Sequence, residues 1–159
     1  LKYSLFEHNG DVNGSETLWG LKHDDIQITS SDIFSQFIII STVLGGVSTL
    51  SFVYASCSYT RRRDLWRDLE RINDQIGSNW AVVGDFNTVL GPDEKLGPHF
   101  SRNAREEFAS CLDRCNLIEF HIYGDKFTWG RFTGNERQAS RLDRCFFQIN
   151  DRCSIAEIS

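Results

Sequence analysis

The chain has 159 residues, with 17 basic and 22 acidic side chains and a formal net charge of −5. A composition of 40% hydrophobic and 25% charged residues is that of a globular domain and excludes a disordered tail. The acidic balance also excludes binding to nucleic acid through bulk positive charge, so contact with a polyanion has to use a local basic patch or a metal ion.

The chain opens on Leu1 and contains no methionine, which leads us to expect a fragment or a processed chain. No basic segment precedes an apolar stretch, so no signal peptide is expected. The most apolar run, Phe37 to Val47, is broken by Ser41, Thr42, Gly45 and Gly46. It falls short of the roughly 20 residues of a membrane helix, so no membrane partner is expected. The five cysteines, Cys57, Cys111, Cys115, Cys145 and Cys153, have no regular spacing and read as thiols of a reduced protein. Cys111 and Cys115 stand four apart, as neighbours on a helix face. A zinc pair there is the alternative to simple burial.

Residues 1–25 carry no clear pattern. Ile26 and Ile28 alternate with polar residues, as in a half-buried strand. Phe37 to Val43 and Val47 to Ala55, separated by Gly45-Gly46, predict an antiparallel hairpin, with Leu50, Phe52 and Tyr54 on one face. Leu65, Leu69, Ile72 and Ile76, widened by Trp66, predict a helix over Asp64 to Gly77, with Gly77 as its left-handed end. Trp80 to Gly84 predicts a short strand buried on both faces. A second helix is expected from Ala104 to about Cys115, capped by Asn103 with Glu106 three residues on. Its inward face would hold Phe108, Cys111, Leu112 and Cys115, and Asn116 would end it. Strands follow over Leu117 to Ile122, Lys126 to Gly130 and Arg141 to Phe147. Such mixing of helices and strands predicts α/β or α+β layers with helices outside sheets.

Four features could carry chemistry. Alternation puts Asp85 and Asn87 of Gly84-Asp85-Phe86-Asn87 on the same side at the end of a strand. A carboxylate there can orient or deprotonate a water. An amide can donate to an oxygen where negative charge grows. Gly84 would let a ligand approach the backbone. The plainer reading of this segment is a strand end closed by an Asx turn. In Arg141-Leu142-Asp143-Arg144, Asp143 is either a surface ion-pair partner of its flanking arginines or a buried carboxylate that orients a histidine. Tyr54 ends a strand and precedes Arg61-Arg62-Arg63, so a phenol and guanidinium groups could meet phosphates. Those arginines otherwise lie on the solvated face of a helix. Phe127-Thr128-Trp129 supplies aromatics that either stack on bases or fill the core. None of His8, His23, His99 and His121 sits in a recognisable nucleophile or metal constellation, and His121 reads as structural.

Taken in order, Phe52-Val-Tyr-Ala, Arg62-Arg-Asp-Leu-Trp, Trp80-Ala-Val-Val-Gly-Asp-Phe-Asn, Phe127-Thr-Trp and Arg141-Leu-Asp-Arg resemble the endonuclease/exonuclease/phosphatase superfamily, whose fold is deoxyribonuclease-I-like. They look closest to endonuclease domains of plant non-LTR retrotransposons. The resemblance covers roughly residues 26–147 of a chain read as one partial domain. It implies a four-layer α/β (α+β) sandwich of two mixed sheets flanked by helices, incomplete here. It also implies Mg²⁺-dependent hydrolysis of phosphodiester bonds in DNA, with RNA as a second substrate class. By motif, Asp85 would orient or activate the water, Asn87 stabilise the phosphoryl oxygens, Tyr54 contact the scissile phosphate and Asp143 hold a catalytic histidine. Trp129, Arg61, Arg62 and Arg131 would face the nucleic acid. A reverse transcriptase in the same polypeptide and a nuclear site would follow from a retroelement role.

The chain also departs from the family pattern. No motif with the family's metal-binding Glu precedes Ile26, so the metal ligands are unassigned. The family's closing Ser-Asp-His is not found, and Gly130 stands where a polar residue would follow Phe-Thr-Trp. These departures predict that the chain is impaired on its own. The competing expectations are a catalytically silent remnant or nucleic-acid-binding module, and a phosphoinositide-type phosphatase relative.

Overall fold

The computed structural model describes residues 5–9, 17–21, 27–44, 47–76, 79–98, 100–120 and 123–148. Its main body is a six-stranded sheet made of β3 (Gln27–Ile33), β4 (Phe37–Leu44), β5 (Val47–Tyr54), β6 (Trp80–Asp85), β8 (Leu117–Glu119) and β11 (Asp143–Gln148). The spatial order is β3-β4-β5-β6-β11-β8. β5 and β6 run parallel, and the other neighbours are antiparallel. A parallel pair needs a crossover, and helix α1 (Tyr59–Asn73) supplies it. Three shorter strands, β7 (Lys95–Leu96), β9 (Trp129–Thr133) and β10 (Glu136–Ser140), form an antiparallel sheet in the order β7-β10-β9. β1 (Leu5–Asn9) and β2 (Thr17–Leu21) pair as a separate antiparallel ribbon. The class is therefore α+β, with both helices against one face of the large sheet.

That face is the core. Phe37, Val53, Trp80, Val82 and Phe146 from the sheet meet Leu65, Trp66, Leu69 and Ile72 of α1, and Phe108, Cys111 and Leu112 of α2 (Arg102–Arg114). Trp66, Phe86 and Phe108 stack at 4.9–6.5 Å between centroids, and Phe146 meets Phe86 and Phe108 edge-on at 5.2 and 5.9 Å. Offset and edge-on aromatic pairs add about 0.5–1.5 kcal/mol each beyond area burial. Cys111 and Cys115 are buried here, and their mutual contact, together with burial, pushes the Cys111 thiol far above its usual range.

Several boundaries differ from the sequence reading for local reasons. The hairpin forms over β4 and β5, with an irregular register beside its turn. Gly45 and Gly46 lie outside the described residues. α1 begins at Tyr59, five residues before the expected start at Asp64, because the arginine run is itself helical. Gly77 also lies outside the described residues. The cap of α2 is Ser101, whose Oγ accepts from the Ala104 amide at 3.3 Å, and not Asn103, which lies inside the helix. Asn116 follows at φ 52, the left-handed end expected of it. Residues 126–128 are loop, and the strand read there starts only at Trp129. β10 was not anticipated, because Glu136-Arg137-Gln138 has no apolar alternation to betray it. Among the described residues no helix is long and apolar enough to cross a membrane.

Candidate functional site

Two strand registers assemble the site. Across the parallel pair, Tyr54 is the partner of Asp85, and across the antiparallel pair Asp143 is. Directly paired residues on neighbouring strands project to the same face. Val53, Phe86 and Phe146 occupy the helix-covered face, so alternation sends Tyr54, Asp85 and Asp143 to the other. Three residues that are far apart in sequence thus stand in one row at the rim of the sheet. Tyr54 is 49% exposed and Asp143 is exposed, while Asp85 between them is partly buried.

Asn87 completes the row. Phe86 is fully buried and anchors the segment, so Asp85 and Asn87 emerge on either side of it. Asn87 adopts φ 48, and its backbone N–H donates to Asp85 Oδ1 at 2.8 Å. This is the Asx turn that the spacing allowed, and it coexists with a convergent pair. Asn87 Nδ2 donates to the Ala55 carbonyl at 2.7 Å and lies 3.4 Å from Asp85 Oδ2. The Cys57 thiol donates to Asn87 Oδ1 at 3.6 Å. Burial raises the Asp85 carboxyl above the ordinary aspartate range, and the Asn87 amide partly opposes this. The charge of Asp143 raises it further, and Arg62 lowers it. A carboxylate shifted upward is better suited to take a proton from water.

Gly84 has a different task from the one expected. It sits at φ 141, and a Cβ there would come within 2.0 Å of the Val53 carbonyl oxygen. The glycine admits the backbone of β5, not a ligand.

Asp143 is held by its backbone. The N–H groups of Leu142 and Asp143 both donate to Thr128 Oγ1 at 3.0 Å, and the Phe86 N–H donates to the Leu142 carbonyl at 3.0 Å. The two arginines flanking Asp143 turn away from it. Arg144 is 2% exposed and grips Glu119 with Nη1 at 2.9 Å to each oxygen, while its Nη2 donates to Glu94 Oε2. Arg141 donates to Glu119 at 2.8 Å. Glu94 in turn accepts the N–H groups of Leu90 and Gly91 at 2.7 and 3.2 Å. This half-buried network ties the loop after β6 to β11 and β8. Breaking one member would leave an unpaired buried charge. Asp143 is thus neither the partner of its flanking arginines nor a buried carboxylate.

The remaining expected residues divide. Arg61 is exposed. Trp129 is 42% exposed on β9, with the Arg131 guanidinium 5.6 Å from its ring centre and Arg131 Nε donating to Gln138 at 3.0 Å. Phe132, further along the same strand, is 74% exposed. Arg62 is 7% exposed, and its Nη1 donates to the carbonyls of Ser56 and Cys57 at 2.8 and 3.0 Å. It faces inward and is not placed to meet phosphates from the helix surface. Burial lowers its pKa, against the pull of nearby acidic groups. Gln36 carries no signal in the sequence, and Cys57 reads there only as one of five thiols. Thr128 reads only as the middle of Phe-Thr-Trp. The side chains of all four histidines lie outside the described residues.

The donor chemistry suits a hard divalent cation. Asp85 and Asp143 offer carboxylate oxygens, and Mg²⁺ is commonly held by one or two carboxylates together with substrate phosphates and waters. Among the described residues no three His, Cys, Asp or Glu side chains are grouped to hold a metal by themselves.

No protein-family model matches the sequence, and neither does any curated protein. Solved structures do match. The endonuclease domain of TRAS1, a telomere-specific non-LTR retrotransposon, superposes with a TM-score of 0.68 at 14% identity over 90% of this chain. The 3′ phosphatase NExo from Neisseria, bound to product DNA hairpin, superposes with a TM-score of 0.54 at 17% identity over 77% of this chain. The chain spans 65% and 57% of the lengths of those two proteins. Identities this low speak to architecture, and on that evidence the chain has the deoxyribonuclease-I-like α+β fold.

Proposed function

We propose that this chain is part of an endonuclease domain that hydrolyses phosphodiester bonds in DNA with the help of Mg²⁺. The observation that carries the reading is the row of Tyr54, Asp85 and Asp143 across three adjacent strands, with the Asn87 amide 3.4 Å from Asp85. A phosphate at this rim would meet a phenol donor, an amide donor and two carboxylates. Tyr54 would donate to a phosphate oxygen, and Asn87 to an oxygen where negative charge grows. Asp85, with its raised proton affinity, would orient the attacking water and accept its proton. Asp143 would hold a histidine or share the cation. Mg²⁺ bound against these carboxylates would neutralise charge on the phosphoryl oxygens.

The exposed Trp129, Arg131 and Arg61 supply an aromatic face and cations for the strand flanking the cut. Nucleic acid is favoured over a small phosphodiester because Trp129 and Phe132 stand exposed on one β-ribbon that joins the site through Thr128. A retroelement polypeptide that also carries a reverse transcriptase, acting in the nucleus, would be the natural setting.

The test is plasmid nicking by a polypeptide that carries this chain within its full reading frame. Mg²⁺-dependent nicking should fall by about 10²–10⁴-fold in Asp85→Ala, the span usual for loss of a general base. Isolated 1–159 should nick far more slowly than the longer polypeptide. Undiminished nicking by Asp85→Ala would overturn the assignment.

A further inference from the structure

The Asn87 amide makes its contacts with a short loop, residues 55–58, through the Ala55 carbonyl and the Cys57 thiol. The ends of that loop are tied by the Ala55 N–H donating to the Asp85 carbonyl at 2.8 Å and by the Ser58 carbonyl accepting from the Arg62 N–H at 3.1 Å, and two buried polar side chains grip its middle. Arg62 bridges the carbonyls of Ser56 and Cys57 with a single nitrogen, Nη1. Gln36, 8% exposed, accepts the Ser56 N–H at 2.7 Å and donates to the Arg61 carbonyl at 2.8 Å. The Gln36 carbonyl also receives the Tyr54 N–H at 2.8 Å, so the same residue fixes the end of β5. A buried guanidinium is costly unless it is well paired, and here its inward partners are backbone carbonyls, not a carboxylate. Two buried polar groups on one four-residue loop, immediately behind the amide, amount to a second layer that sets the direction of Nδ2.

We infer that Arg62 and Gln36 are positioning residues that clamp loop 55–58 and thereby aim the Asn87 amide at the reacting phosphate. This rests on the endonuclease reading for its function, but its geometry can be tested without turnover. A one-ångström misplacement of a reacting group can cost on the order of 100-fold in rate.

The experiment follows the Asn87 side-chain amide of the ¹⁵N-labelled chain by NMR, alongside binding to an uncleavable DNA hairpin at several salt concentrations. Arg62→Met and Gln36→Leu should each shift or broaden the Asn87 amide resonances. Arg62→Lys should largely restore them, because one nitrogen suffices for both carbonyls. The slope of log affinity against log salt should stay that of wild type in Arg62→Met. An Asn87 resonance unmoved in the folded variants would overturn the proposal, as would a lysine variant as perturbed as the methionine one. A salt slope reduced by about 1 would do the same, since that is the mark of a lost phosphate contact. If Arg62→Met does not fold, Gln36→Leu decides alone. In the nicking polypeptide, Arg62→Met should add no further loss on top of Asn87→Gly, whose backbone tolerates φ 48. Resonances that move as expected in a polypeptide that never nicks DNA would keep the clamp and discard the nuclease.

Discussion

On the helix-covered face of the six-stranded sheet, Phe37, Val53, Trp80, Val82 and Phe146 are at most 3% exposed. On the opposite face Ile38, Ile40 and Ala81 are also buried, but Phe52, Val83, Cys145 and Phe147 are only half-buried, and their rows end in Tyr54, Asp85 and Asp143. The same strands make both faces, one residue out of phase. The first face holds packed aromatic rings, and the Trp80 indole N–H is met there by Ser51 Oγ at 2.9 Å. The second carries Asp85, whose proton affinity is raised by burial and further by the charge of Asp143. Stability and chemistry are thus separated by the pleat and not by distance along the chain.

The separation can be broken from either side. Phe108 meets Trp66, Phe86 and Phe146, so Phe108→Ala should cost about 3–5 kcal/mol in urea unfolding. A loss below about 1 kcal/mol would show that the aromatic cluster does not carry the fold. On the exposed side, Trp129→Ala should weaken binding to a single-stranded oligonucleotide by about 1–3 kcal/mol, the worth of one base stacked on a ring. Its melting temperature should stay unchanged, and binding equal to wild type would return Trp129 to a passive role.

The smallest effect is the most diagnostic. Asp85 has a folded pKa raised above its unfolded value, so its contribution to stability is full below the unfolded pKa and is lost as pH rises through the folded one. Asp85→Asn keeps an oxygen for the Asn87 N–H and removes the charge. It should melt above wild type at pH 7, and the difference should shrink as pH falls through the raised pKa. A variant that melts lower at pH 7 would place the cost of this site elsewhere.

Where apolar side chains repeat at the period of the element, the fold was legible. β5, β6, α1 and α2 follow from Leu50, Val53, Trp80, Val82, Leu65, Leu69, Phe108 and Leu112. The short strands of the small sheet, held by backbone pairing with little apolar alternation, left no such trace, as β7 and β10 show. The convergence of Asp85 and Asn87 was readable from the two-residue period. The place of Asp143 beside Asp85 was not, because it depends on the register of a strand 58 positions later. Arg62 misled for a similar reason. A run of three arginines looks like a solvated face, yet the helical period turns the middle one inward, and only the carbonyls of residues 56 and 57 explain why it is welcome there.

The parallel pairing of β5 with β6 has one more consequence. It sends two chain exits to the rim where β11 makes its entrance, so the row is a meeting of three segments that no contiguous stretch contains. Cutting the polypeptide anywhere between residues 86 and 142 and separating the halves would leave each with part of the row. If the proposed nuclease activity holds, cleavage of DNA would double as an assay for the docking of β11, since undocking that strand would abolish it while α1 kept its apolar seat on the sheet.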